Sequence, residues 1–276
     1  MNNIKDNFDI TIVIPVHKLN EEVQEYLLKA LTSIVTNTDN CGMKITTMFV
    51  CPKDIKTQVD TFLNSTKIHY GNYTILENDG ATDYCSQINF ASNNINTKWF
   101  SILEFDDMYT PYWFKSFEEY LFSKEDVSLF LPINVQYEKE TPQIRQFCNE
   151  IVWANEFSKE MGYIDFECLE NFVGFNLTGG VFNTQDFIKI GGLKPSIKVA
   201  FNYEFLLRLT HKNLKVFVIP KEGYVHCLNR NDSLTDEYAK TITDKQIKQW
   251  FELAKCEYPY KEDRKTTIKE KVELLK

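Results

Sequence analysis

A chain of 276 residues, 43% hydrophobic, is long enough to bury one large core or one core with an appended subregion. Its 39 acidic residues outnumber 31 basic ones, giving a formal net charge of -8, which excludes a surface built broadly for polyanions but leaves room for a local basic patch. Seven cysteines, at 41, 51, 85, 148, 168, 227 and 256, form no C-x-x-C pair and no even-numbered framework, so reduced thiols in a cytoplasmic compartment are expected.

The amino-terminal stretch MNNIKDNFDITIVIPV has neither a signal-peptide h-region nor the roughly 20 apolar residues of a membrane helix, so an integral membrane segment is not expected. DITIVIPV (9–16) is a continuous β-branched run, the pattern of a strand buried on both faces of a parallel sheet. In EEVQEYLLKALTSIV the apolar positions Val23, Tyr26, Leu27, Ala30, Leu31 and Ile34 make one helical stripe. KITTMFV (44–50) reads as the second strand, and Ile55, Val59, Phe62 and Leu63 mark the second helix. NYTIL (72–76), CSQINFASNNI (85–95) and WFSILEF (99–105) follow as strand, helix and strand. This alternation predicts an α/β sandwich on a mainly parallel sheet, with ligands beyond the carboxyl ends of its strands. HKLN, ENDGATD (77–83) and EFDDMYTP all fall at that edge.

Beyond Pro111 a helix (PYWFKSFEEYLF) and a strand (VSLFLPINV) precede a segment, about 137–176, that is rich in aromatics and acids and has no clean period. A helix at NYEFLLRL, a strand at LKVFVIP, a loop at GYVHCLNRNDSLT and a charged helical tail from 236 complete the pattern. The three carboxylates of Glu104, Asp106 and Asp107 repel one another unless water or a cation neutralises them. A solvated loop and a Mg2+ or Mn2+ site both satisfy that requirement.

Five stretches, taken together and in order, resemble the family-2-like glycosyltransferases of the GT-A fold. ITIVIPVHKLNEEVQEYLLKALTSI is similar to the family's opening strand, nucleotide loop and helix, and INFASNNINTKWFSILEFDDMYTPYWF to the stretch from a helical asparagine, here Asn89, to the acidic motif. TGGVFNTQDFIKIGGLKP, NYEFLLRL and YVHCLNRNDSLT are similar to its Gly-Gly segment, catalytic helix and histidine loop. The chain also resembles glycosyltransferase-like proteins of tailed phages. The resemblance implies a GT-A-like (Rossmann-like) α/β/α sandwich with a helical extension: a nucleotide-sugar-binding half (1–110), an acceptor-binding and catalytic half (111–235), and a tail (236–276).

It further implies transfer of a sugar from a nucleotide-diphosphate donor, such as a UDP-sugar, to a hydroxyl of a glycan or of a hydroxymethylated DNA base, with Mn2+ or Mg2+ on the diphosphate. Asp106, Asp107 and His226 are the metal ligands it suggests, although a histidine satisfied by backbone explains His226 equally well. Glu104 would meet the ribose or a metal-bound water. Pro15, Val16 and His17 would contact the nucleoside, Asn89 would belong to the donor site, and Arg230 would meet diphosphate oxygens. FVCPKDI lacks the family's usual pair of aspartates, which leaves the base open, with Asp79 and Asp83 as substitutes unless they merely serve a turn. Asn202 occupies the position of the usual catalytic aspartate, so Glu204 would act as base, or the enzyme retains configuration, or the domain has lost transfer and serves binding or assembly. Aromatic side chains at Trp153, Tyr163 and Phe166 offer an acceptor wall or core packing. A nucleotidyltransferase is disfavoured because HKLNEE is no Gly-rich phosphate loop. The oligomeric state is left open.

Overall fold

The computed structural model describes residues 9–68, 71–78, 80–81, 83–138, 145–154, 157–158, 160–197, 199–228, 238 and 240–258. Strand β1 (Asp9–Pro15) is followed by α1 (Glu21–Asn40), β2 (Lys44–Cys51), α2 (Lys56–Ser65), β3 (Tyr73–Glu77), α3 (Tyr84–Ser92) and β4 (Trp99–Ile102). The hydrophobic periods account for these elements. Ile10 and Ile12 to Ile14 of β1 are completely buried, as a strand covered on both faces requires, and the whole predicted stripe of α1 is buried. Asn20 caps α1 by accepting from the Val23 N–H at 2.9 Å.

The second part contains β5 (Met108–Tyr109), α4 (Trp113–Leu121), β6 (Val127–Glu138), β7 (Arg145–Cys148), a 3-10 turn (Glu150–Trp153), β8 (Tyr163–Ile164) and α5 (Phe166–Asn171). Then come β9 (Val181–Asn183), α6 (Thr184–Lys189), α7 (Phe201–His211), β10 (Lys215–Leu228) and α8 (Asp244–Glu257). The described strands form one sheet in the order β3-β2-β1-β4-β9-β6-β10-β5, with β7 on β6 and β8 on β10. Pairing is parallel from β3 through β4 and between β6 and β10, and antiparallel around β9. Strands from both sides of position 110 therefore share one sheet.

Trp99 and Phe100, adjacent in β4, point to opposite faces and belong to two separate core clusters. Trp99 packs edge-on against Phe117 and Phe130, while Phe100 stacks on Phe182 and meets Phe187 edge-on. The sheet is thus filled on both sides.

Two boundaries differ from expectation in ways that matter for function. β4 stops at Ile102, so the acidic motif lies wholly beyond the strand. The predicted strand and histidine loop near the end are one long strand, β10, which absorbs register shifts between Val218 and Tyr224 and carries His226 within its ladder.

Candidate active site

After β4 the chain turns at the edge of the sheet, the Leu103 N–H donating to Val13 O and the Asp107 N–H to Glu104 O. β10 then fixes the motif from the side. The Glu104 N–H donates to the Tyr224 hydroxyl at 3.0 Å, and Asp107, 1% exposed, accepts from the Cys227 N–H at 2.9 Å through one oxygen and meets His226 Nδ1 at 2.7 Å through the other. Tyr224 needs room at this point. Gly179 (φ 73°) supplies it, because a Cβ there would come within 2.7 Å of the Tyr224 ring.

His226 has no partner at Nε2 among the described residues. Burial alone would lower its pKa, but Asp107, followed by Glu104 and Asp106, raises it to about 10, which places both other carboxylates in its neighbourhood. Asp107 therefore orients the imidazole, and each of its oxygens has one partner inside the protein; a carboxylate oxygen keeps a second lone pair, so these contacts do not remove Asp107 from the expected metal ligands.

At the end of β1, Pro15 and Val16 are buried, and Val16 donates its N–H to Val50 O. Any contact they make with a ligand is through backbone. His17 is half-buried and its ring lies 5.4 Å from that of Phe105, joining the first strand's loop to the acidic motif. Asp83 is the N-cap of α3, accepting from the Ser86 N–H at 2.9 Å, so its carboxylate serves the helix. Asn89 also has an internal duty. Its amide clamps the backbone of Leu193 with two 2.7 Å hydrogen bonds, and at Gly192 (φ 63°) a Cβ would lie 2.2 Å from Asn89 Oδ1. Both residues thus have a structural duty, Asp83 at the start of α3 and Asn89 at Leu193. Asp79 and Arg230 lie outside the described residues.

Glu204 is completely buried and fully engaged. Arg208 grips it with two 2.9 Å hydrogen bonds, Lys194 Nζ lies 2.9 Å from Oε1, and the Tyr258 hydroxyl donates to Oε1 at 2.7 Å. Burial would raise its pKa, yet Arg208, then Tyr258 and Lys194, hold it below the usual glutamate value. A carboxylate that is inaccessible, paired with cations and depressed in pKa is unsuited to take a proton from an acceptor. The expectation of Glu204 as base is corrected on that ground. Asn202, two residues earlier in the first turn of α7, is half-buried and lines a cleft. Two members of the expected acceptor wall lie elsewhere: Trp153 and Tyr163 pack on Phe217, whose partner Phe130 on β6 is six residues before the partner of His226, roughly 20 Å away at about 3.3 Å per residue.

Several site residues carry no motif signal. Tyr224 and the Cys227 N–H are set by the pairing of β10 with β5 and β6. Tyr84, whose hydroxyl pKa is raised by burial and then by Glu104, stands beside the acidic motif and meets Phe201 at the start of α7. Asn78, at the end of β3, is 5% exposed with Nδ2 unpartnered, and its place next to the Asp-Gly turn was the one available hint.

Among the described residues no group of three or more His, Cys, Asp or Glu is arranged to hold a metal by itself. Asp106, Asp107, Glu104 and His226 Nε2 stand together at this edge. Mg2+ and Mn2+ commonly take one or two carboxylates and complete their shell with water and substrate phosphate oxygens. The donor set fits a cation brought to Asp106 with a diphosphate and does not fit a closed protein cage.

No family model matches the sequence, and no curated protein matches it. Among solved structures, S. aureus TarS residues 1–349 in complex with UDP-GlcNAc is similar at a TM-score of 0.59 and 12% identity, covering 82% of this chain and 60% of that one. The same fragment in complex with UDP gives 0.57 and 11%, covering 88% and 78%, and a longer TarS structure gives 0.55 and 12%, covering 97% and 47%. The chain thus spans 60% of the first of these and under half of the longest. At such identities the likeness is one of fold, and that fold is the GT-A-like α/β sandwich expected from the sequence.

Proposed function

We propose that the protein is a glycosyltransferase that binds a nucleotide-diphosphate sugar at the carboxyl edge of β1 and β4, with a divalent cation on the diphosphate. The observation that carries this reading is the pairing of the Glu104-Phe105-Asp106-Asp107 motif with His226, held through Asp107 in a strand 119 residues away, in a fold similar to a protein captured with UDP-GlcNAc and UDP. Asp106 would hold the cation together with Nε2 of a neutral His226 imidazole, since the cation's charge would offset the neighbouring carboxylates. When bound, the cation would act as a Lewis acid toward the negative charge that develops on the leaving diphosphate.

The remaining work falls to the chain itself. Asp107 fixes the imidazole plane, as a carboxylate behind a ligating histidine does. Tyr224 fixes the backbone of Glu104, directing that carboxylate to the ribose edge. His17 and the backbone of Pro15 and Val16 would border the nucleoside.

Calorimetric titration of UDP and UDP-GlcNAc with and without Mn2+, on wild type and Asp106→Ala, tests this. Cation-dependent binding lost in the variant is expected; equal binding by both proteins refutes the site. A second reading, a donor-binding module without transfer, is favoured by Asn202 and by the engagement of Glu204. Release of free sugar or transfer to any acceptor during overnight incubation with donor excludes it.

A further inference from the structure

A cleft of about 210 Å3 opens beside the edge just described, lined by Gln136, Phe175, Asn176, Asn202, Tyr203 and Phe251 among others. Gln136 on β6 is in register with His226 on β10, so the backbone at the cleft's rim lies one strand spacing, about 4.8 Å, from the backbone that carries the imidazole. Its far wall is α8, whose Phe251 ring lies 5.3 Å from that of Tyr203.

The chemistry of the lining is specific. Gln136 and Asn202 have side-chain amides without hydrogen-bond partners among the described residues. Asn176 uses only Oδ1, which accepts from the Thr178 N–H and hydroxyl, leaving Nδ2 unpartnered. Amides present both donors and acceptors, the match for hydroxyl groups that are both at once. The Tyr203 hydroxyl is engaged with Leu169 O, so with Phe175 and Phe251 it offers an aromatic wall suited to the apolar face of a ring. Among the described residues no charged side chain lines the cleft, so a phosphate or carboxylate placed there would find no counter-charge in this lining. Small-molecule sites usually run to about 300–1,000 Å3, so this volume suits a single ring.

We infer that this cleft holds the acceptor, and that the acceptor presents an uncharged sugar ring there; the inference rests on the transferase reading above. A nucleobase in DNA is disfavoured because a flipped base brings flanking phosphates that need lysine or arginine. The buried Glu204 cluster has a role in this arrangement. Through Tyr258 it ties the end of α8 to α7, holding Phe251 and Asn202 on opposite sides of one cavity.

The test is saturation-transfer NMR and calorimetry on the full chain, with Mn2+ and UDP present. The probes are methyl glucoside, methyl galactoside and methyl N-acetylglucosaminide, set against glucuronate, glucose 6-phosphate and an oligonucleotide containing hydroxymethylcytosine. At least one neutral glycoside is expected to bind without displacing UDP, and to bind about 3–10-fold more weakly in Gln136→Ala, Asn202→Ala and Phe251→Ala, the loss of one or two neutral contacts. UDP affinity should stay unchanged in all three. UDP binding with no saccharide binding overturns the inference and leaves the transferase reading intact, as does tighter binding of an anionic probe. Displacement of the glycoside by UDP-sugar but not by UDP assigns the cleft to the donor's sugar and overturns it too. Absence of UDP binding refutes the transferase reading, and the acceptor assignment falls with it.

Discussion

Replacing Glu204 by glutamine separates a catalytic from a structural role at the position where the sequence suggested a base. The substitution preserves shape and removes one negative charge from a site with 0% exposure that faces the 9% exposed Arg208 side chain and Lys194. Breaking a buried pair from one side typically costs about 3–5 kcal/mol, because the remaining charge is left uncompensated. Arg208 keeps its hydrogen bonds to Ile190 O and Gly192 O, and the glutamine oxygen can still accept, so the lower end, about 3 kcal/mol, is expected. At roughly 2–4 °C per kcal/mol for a domain near this size, Tm should fall by about 6–12 °C by scanning calorimetry. UDP affinity measured well below that Tm should be unchanged. An unaltered Tm combined with abolished transfer would restore Glu204 as base and refute the structural account.

Tyr258→Phe removes one hydrogen bond to the same carboxylate and should cost about 1.5–3 kcal/mol in urea unfolding; no change would show that α8 is not latched there. The pH dependence follows with a definite sign. Because the folded pKa of Glu204 is depressed, its contribution is complete above the ordinary value of 4.5 and is lost as pH falls through the lower folded value, so wild-type stability should decline more steeply there than that of Glu204→Gln. Asp107→Asn should weaken Mn2+-dependent UDP binding about 10–100-fold by calorimetry, as expected when the group orienting a metal ligand is lost, and an unchanged affinity would remove Asp107 from the site. Asn89→Ala deletes both hydrogen bonds to Leu193 and should lower stability by about 2 kcal/mol with donor affinity intact; a selective loss of UDP binding would return Asn89 to the donor site.

Local periodicity determined most of the architecture. The continuous apolar run of β1, the stripe of α1 and the alternation as far as β4 all reflect which side chains must leave water, and that requirement is written residue by residue. The placement of the acidic motif at a strand end was legible for the same reason. What the sequence alone could not supply was the partner of each polar group. Asp106 and Asp107 are neighbours of identical type, yet β10 arrives beside Asp107 and engages both its oxygens. Glu204 and Asn202 stand two positions apart on one helix, and the turn of α7 sends the glutamate into a cage of Arg208, Lys194 and Tyr258 while the asparagine faces a cleft. The lining of that cleft draws on β6, the segment before β9, α7 and α8, elements with no shared local pattern. A carboxylate's protonation and reach depend on burial and on charges brought from distant parts of the chain, so these roles became readable only once the sheet had set its neighbours.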